Sequence, residues 1–270
     1  MPELPEVETI RGDLEQALVG RRIAGFATTW PRAVAWPDAA ALARELPGLA
    51  ITGVRRRGKY LLIALSDGRW LVCHLRMTGR LLIRARSDPE DRHVHTRFAL
   101  DEDGELRFSD VRKFGRLWLV ADPEEVVGSL GPEPFDPALD AALLAARLAG
   151  RRGPIKPLLL DQRVLAGVGN IYADESLFAA RVLPTRSAAS LSGEEVQALL
   201  EGLRLKLALG LQHRGTTMGD YLDAHGNPGA MRSHLAVYRR EEQPCLECAT
   251  PIRRIKLAGR SSFFCPTCQG

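Results

Sequence analysis

Two cysteine pairs near the end of the chain, Cys245-Leu-Glu-Cys248 and Cys265-Pro-Thr-Cys268, are separated by sixteen residues. Each CxxC turn presents two thiolates from one tight bend, and two such turns complete a tetrahedron. The spacing therefore predicts a zinc ribbon in which Cys245, Cys248, Cys265 and Cys268 hold one structural Zn2+. Four protein ligands leave no open position for a catalytic water. A disulfide framework would need an oxidising compartment, and nothing in the sequence signals export. The fifth cysteine, Cys73, lies in an apolar stretch and reads as core. Residues 250–264 are expected to form a hairpin between the pairs, with positive charge at its Lys256–Arg260 tip.

The other end of the chain, MPELPEVETI, offers a different chemistry. Removal of Met1 leaves Pro2 as a secondary amine, and an N-terminal amine has an unperturbed pKa of about 7.7–8.0, so part of it is a neutral nucleophile near pH 7. A conformational reading competes. Pro2 would occupy the first helical position, where a missing N–H costs nothing, with Glu3, Glu6 and Glu8 favoured by the helix dipole. Taken alone, these residues favour the conformational reading. The turn Leu165-Ala-Gly-Val-Gly-Asn-Ile-Tyr172 poses a similar choice. Its N–H groups could receive an anion at a helix start, or Asn170 could simply cap that helix. Lys156 stands between Pro154 and Pro157 and says little by itself.

The elements that must position these residues fall into two styles. Residues 2–19 place Leu4, Val7, Ile10, Leu14 and Leu18 on one helical stripe, with Gly20 as a stop. From 21 to 122 the pattern is short strands: Ile51–Arg56, Tyr60–Leu65, Trp70–Leu75, Arg97–Leu100 and Leu117–Val120, separated by turn signals such as Ser66-Asp67-Gly68. Mostly local connections predict an antiparallel sandwich or barrel. Gly131–Pro137 reads as a linker, followed by helices at Ala138–Ala149, Ile155–Leu160, Asn170–Ala180 and Gly193–His213. The 270 residues are 45% hydrophobic, enough for two cores, with no apolar run of membrane-spanning length. Net charge is +4 and the pI near 8.9. The positive charge is concentrated: 231–270 holds seven Arg and Lys against three acids, and Arg55, Arg56, Arg57 and Lys59 form a second cluster. That distribution suits a nucleic-acid partner.

These residues together resemble a known family. MPELPEVE, Arg57-Gly-Lys59-Tyr60, His74-Leu-Arg-Met77-Thr-Gly79, Asp110-Val-Arg112-Lys-Phe114-Gly115, Ile155-Lys156-Pro157, Gly167-Val-Gly-Asn170-Ile-Tyr172 and the four-cysteine tail occur in order. They closely resemble bacterial formamidopyrimidine-DNA glycosylases, relatives of endonuclease VIII, from Met1 to Gln269. The resemblance implies an α+β fold: an N-terminal helix on a two-layer antiparallel β-sandwich (1–130), a linker and first helix (131–150), a helix-two-turn-helix domain (151–230) and a zinc finger (231–270).

It also implies roles. Pro2 is the nucleophile, Glu3 the neighbouring acid, and Lys59 serves the catalytic pocket. Lys156, Asn170 and Arg260 correspond to phosphate ligands. Met77, Arg112 and Phe114 correspond to the residues that fill the gap left by an everted base, and His74 belongs to the same DNA-binding motif. A wedge, a stacking ring and a hydrogen-bonding guanidinium are what extrusion of a damaged base calls for. The expected activity is a bifunctional glycosylase/AP lyase for oxidised purines in duplex DNA. The expected setting is a monomer in the bacterial cytoplasm, associated with the nucleoid and not with a membrane.

The alternatives are an endonuclease VIII-like enzyme for oxidised pyrimidines and a non-catalytic protein that holds damaged DNA. On sequence alone Lys59 is the other candidate nucleophile, but its amine must first lose a proton. The fit is loosest over 213–240. Relatives are expected to carry a double glycine where this chain has His213-Arg214-Gly215-Thr216-Thr217, and an aromatic where it has Gly229-Ala-Met231-Arg232. A Val-Tyr-Gly-Arg pattern is met by Val237-Tyr238-Arg239-Arg240, with Arg239 in the glycine's place.

Overall fold

The computed structural model describes residues 1–270 as two compact units. One comprises Met1–Ser129 with His213–Arg232, the other Leu130–Gln212 with Ser233–Gly270. No helix is long and apolar enough to cross a membrane.

The first unit opens with α1 (Leu4–Leu18), whose stripe Val7, Ile10, Leu14 and Leu18 is fully buried in the core. Two sheets enclose that core. The four-stranded sheet has the order β1 (Ile23–Thr28), β7 (Val94–Leu100), β8 (Gly104–Asp110), β6 (Gly79–Ala85). The five-stranded sheet has the order β2 (Val34–Trp36), β9 (Arg116–Val120), β5 (Trp70–His74), β4 (Tyr60–Leu65), β3 (Ile51–Arg57). All neighbours are antiparallel except β2 and β9. Alternation sends Leu61, Ile63, Leu71, Cys73, Leu117 and Leu119 inward from one sheet, against Leu81, Phe98, Leu106 and Phe108 from the other. A short helix, α2 (Ala39–Glu45), capped by Asp38, packs against β1, and α3 (Glu124–Val127) follows β9.

Residues 213–232, grouped by the sequence reading with the helices before them, pack on the sandwich instead. Their anchors are acids of α1. The Thr216 N–H donates to Glu6 Oε1 at 2.6 Å, and Arg214 Nη2 donates to both oxygens of Asp13 at 2.9 and 2.8 Å. The Ile83 N–H of β6 donates to the Ala224 carbonyl. Gly215 is required at this crossing: it has φ +86°, and a Cβ there would lie 2.8 Å from Glu6 Cγ.

The second unit is built from α4 (Ala141–Leu148), α5 (Ile155–Leu160), α6 (Asn170–Ala179) and α7 (Gly193–Gln212), with the hairpin β10 (Arg253–Leu257) and β11 (Arg260–Phe264). The stretch read as a linker is tied down: the Gly131 N–H donates to the Gln162 carbonyl, and Arg204 Nε to the Pro134 carbonyl. Helix α6 is buried from Ile171 through Phe178, so its polar residues need partners. Glu175 finds three, accepting the N–H groups of Ala236, Val237 and Tyr238 at 2.9 Å each. The chain then turns through Arg239 at φ +56°, a left-handed conformation that favours glycine.

Arg239 is exposed, so Arg239→Gly removes backbone strain without removing packing. We expect a stabilisation of about 0.5–1 kcal/mol after the entropic cost of glycine, read as a rise in thermal midpoint. An unchanged or lowered midpoint would contradict this account of the turn.

Candidate active site and metal centre

Pro2 is buried two residues before Leu4, the first residue of α1, and not at the first helical position. The reason is that Glu3 is the N-cap, with extended backbone (φ −105°, ψ −170°), so Leu4 begins the helix and Pro5 falls in its first turn, where an N–H would have no intrahelical partner. Glu3 is itself only 2% exposed. Its N–H donates to Glu6 Oε2 at 2.8 Å, the reciprocal half of a capping box. Glu6 thus grips the Glu3 amide with one oxygen and the Thr216 amide with the other. Lys59 is buried in the turn from β3 to β4, after Gly58 at φ +57°.

His74, at the end of β5, is buried beside that lysine. Its Nδ1 accepts the Arg76 N–H at 2.9 Å, fixing the turn that leads to Met77. Burial, with Arg76 and Lys59 adding to it, pushes the imidazole down to about 3, so His74 is neutral. It supports the turn from within and is not itself exposed.

Met77, Arg112 and Phe114 come together on the surface of this unit. Arg112 Nη1 lies 3.2 Å from Met77 Sδ, and its guanidinium stacks 4.7 Å over the Phe114 ring. Met77 and Phe114 are each more than two-fifths exposed. Asp110 organises the cluster. Its carboxylate accepts the N–H groups of Arg112, Phe114 and Gly115 (3.2, 2.8 and 2.7 Å) and the Thr78 hydroxyl. Gly79 and Gly115 flank the Phe108 ring so closely that a Cβ on either would lie within 3 Å of it. Asp110 escaped the sequence reading as a functional group, because one acid in a polar turn has no distinguishing spacing.

In the second unit, Lys156 and Asn170 converge on one acceptor. Lys156 Nζ donates to the Ser261 carbonyl at 2.7 Å, and Asn170 Nδ2 donates to the same oxygen at 3.1 Å. Arg260, next to Ser261 in β11, is exposed. Lys156 also pairs with Asp174 at 2.8 Å, and the other Asp174 oxygen accepts the Phe263 N–H. Burial pushes Asp174 up to about 7, opposed by Lys156 and that amide. Asn170 Oδ1 is buried without a protein partner. The cap of α6 is Gly169, not Asn170, because the Asn170 side chain is spent on Ser261. The Gly167 N–H, offered by the sequence reading as part of an anion site, is taken by Gln162 Oε1 at 2.9 Å.

The four tail cysteines bring their Sγ atoms within 4.8 Å of one another, with Cys245–Cys268 at 3.8 Å and Cys248–Cys265 at 3.4 Å. Tetrahedral zinc with ~2.3 Å bonds needs sulfur separations of about 3.8 Å, so the donor set and its spacing fit. Gln269 braces the knuckle, accepting the Cys265 N–H and donating to the Val182 carbonyl.

Three family models match: the formamidopyrimidine-DNA glycosylase N-terminal domain over 1–117, the formamidopyrimidine-DNA glycosylase H2TH domain over 130–221, and a zinc finger found in FPG and IleRS over 242–270. A formamidopyrimidine-DNA glycosylase of Herpetosiphon aurantiacus is 47% identical over all of both chains. The Lactococcus lactis Fpg solved with abasic-site DNA superposes with a TM-score of 0.93 at 36% identity, covering 99% of each chain. The same enzyme solved with DNA containing an oxidised pyrimidine gives 0.92 at 37%, also covering 99% of each. The zinc-finger match and the four-cysteine cluster together define the site of one structural zinc ion.

Two outcomes follow. Elemental analysis should find one zinc per chain, lost in Cys265→Ser; retention of stoichiometric zinc by that variant would remove Cys265 from the ligand set. His74 is depressed from an ordinary ~6.5, so the unfolded chain takes up its proton first as pH falls. Stability is then complete above about 6.5 and lost progressively towards about 3. His74→Asn, which keeps an acceptor, should flatten the pH dependence of the thermal midpoint between pH 6.5 and 4. A slope equal to that of the unsubstituted protein would exclude a buried neutral His74.

Proposed function

The chain belongs to the formamidopyrimidine-DNA glycosylase family, and from that premise we propose that it is a bifunctional DNA glycosylase/AP lyase that removes oxidised purines from duplex DNA. The observation that carries this reading is the pair Pro2–Glu3: an imino acid buried ahead of the α1 cap, followed by a buried carboxylate. A surface helix cap needs neither to be buried.

Once Met1 is removed, the Pro2 nitrogen attacks C1′ of the lesion nucleotide, forming the N–C1′ bond as the glycosidic bond breaks and its electron pair leaves with the base. Glu3 donates a proton to the sugar ring oxygen as the ring opens. The resulting iminium has no N–H to lose, so it stays cationic and acts as an electron sink. Loss of a C2′ proton then expels the 3′ phosphate, and a second elimination expels the 5′ phosphate. Water finally hydrolyses the imine and returns Pro2. Lys59 supplies a buried cation for charge developing on the departing base.

Met77 fills the space of the extruded nucleotide, Phe114 stacks beside it, and Arg112 hydrogen-bonds the orphaned partner base. On the second unit, Lys156, Asn170 and Arg260 are the phosphate ligands, Lys156 Nζ and Asn170 Nδ2 being the donors that now meet the Ser261 carbonyl beside Arg260. The Lactococcus lactis complex with an oxidised pyrimidine supports a second reading, in which oxidised pyrimidines are also accepted.

Borohydride trapping followed by peptide mapping tests these assignments. On duplexes carrying 8-oxoguanine opposite cytosine, the adduct should map to Pro2 as the first residue of the mature protein. Glu3→Gln should lower trapping by at least ~10²-fold. Trapping on an oxidised pyrimidine but not on 8-oxoguanine would favour the second reading. An adduct on Lys59, or full activity with Met1 retained, would overturn the Pro2 mechanism.

A further inference from the structure

The chain has four tryptophans, and all belong to or adjoin the five-stranded sheet: Trp36 in β2, Trp70 in β5, Trp118 in β9, and Trp30 just before the turn into β2. None takes part in the chemistry described above. Two already hold a cation. The Arg116 guanidinium lies 5.3 Å over the Trp30 ring, and that of Arg55 lies 5.3 Å over Trp70. Trp36 and Trp118 carry no stacked cation. They are register partners on adjacent strands, and the Tyr60 ring lies 6.1 Å from Trp118 at 51°. These three rings wall a cavity of about 320 Å³ whose other lining residues are Val120, Val126 and Glu125. That volume is at the lower end of the ~300–1,000 Å³ range of small-molecule sites. Trp36 is 59% exposed.

Aromatic rings lining one pocket draw a cation through their quadrupoles, and the carboxylate beside them sets the sign of the preferred charge. Glu125 is positioned by the start of α3, where its Oε1 accepts the Asp122 N–H at 3.2 Å. No lysine or arginine lines the cavity. Tyr60 is held by an edge contact to His74, with ring centroids 4.5 Å apart at 78°. That imidazole is neutral and adds no positive charge behind the ring. An anion would meet Glu125 unpaired. A bare metal ion would find one carboxylate and three rings, too few oxygen ligands for a hard cation.

We propose that this cavity binds a small organic cation of the alkylammonium class, with its methylated head among Trp36, Tyr60 and Trp118 and its charge opposed by Glu125. The site lies wholly within the first unit and stands independently of the glycosylase chemistry.

Tryptophan fluorescence of the full-length protein tests it, with tetramethylammonium chloride titrated at constant ionic strength against sodium chloride. The neutral control is 3,3-dimethylbutan-1-ol, which has a similar shape without the charge. Tetramethylammonium should give a saturable change, with the alcohol at least ~10-fold weaker. Glu125→Gln, an exposed substitution that leaves the rings in place, should weaken the ammonium by about threefold or more and leave the alcohol unchanged. Trp36→Leu should abolish saturation. No saturable response to tetramethylammonium, equal affinity for the alcohol, or saturation that survives Trp36→Leu would each overturn the proposal.

Discussion

A loop that projects side chains towards a partner leaves its own backbone N–H groups without a strand to pair with. Water can satisfy them only where the loop is wet, and these loops have buried undersides. This protein meets the constraint with buried carboxylates. Asp110 takes three amides of the turn that presents Arg112 and Phe114. Glu6 takes the amides of Glu3 and Thr216, Glu175 those of Ala236, Val237 and Tyr238, and Asp174 that of Phe263. Asp110, Glu6 and Glu175 each convert an irregular segment into a fixed one, Asp174 ties down β11, and amide–carboxylate bonds are stronger than their neutral counterparts.

The arrangement separates shape from contact. Met77, Phe114 and Arg260 are exposed and touch few anchors, while Asp110, His74 and Asp174 are buried and hold the segments that carry them. Lys156 belongs with the buried supports: its ammonium is bonded to Asp174 and to the Ser261 carbonyl, beside Arg260. Precision in such a site comes from the hidden acids, since exposed long side chains carry large rotamer entropy and position little by themselves.

Legibility in the sequence follows the same division. The cysteine pairs were readable because four thiols at that spacing have one economical use. Helix α1 was readable from its apolar stripe, and β4 from its apolar run between turns. Strand β8 was hidden: Glu105 and Arg107 are buried as an ion pair of 2.6 Å, so a buried strand reads as a polar one. Strands β1 and β6 were missed as well, both carrying glycine in a short pattern. The supporting acids were not legible, because their partners are backbone amides distant in sequence; Glu6 meets Thr216 across 210 positions. The attachment of 213–232 to the sandwich was hidden for that reason. Arg239 stands where the resemblance implies a glycine, and its positive φ is a conformation that favours one.

The interleaving of the two units has a consequence for synthesis. Both sheets of the sandwich have been made when the ribosome finishes Ser129, but the first unit is not complete, since its last piece, His213–Arg232, comes only after Gln212. At ~5–20 residues per second, the intervening segment delays that piece by roughly 4–20 s. Through that interval Glu6 and Asp13 have neither Thr216 nor Arg214, and the nascent N-terminal unit carries two acids awaiting their partners. The protein therefore cannot mature domain by domain from its N-terminus. The unit bearing Pro2 closes only after the helical segment of its neighbour has already been made.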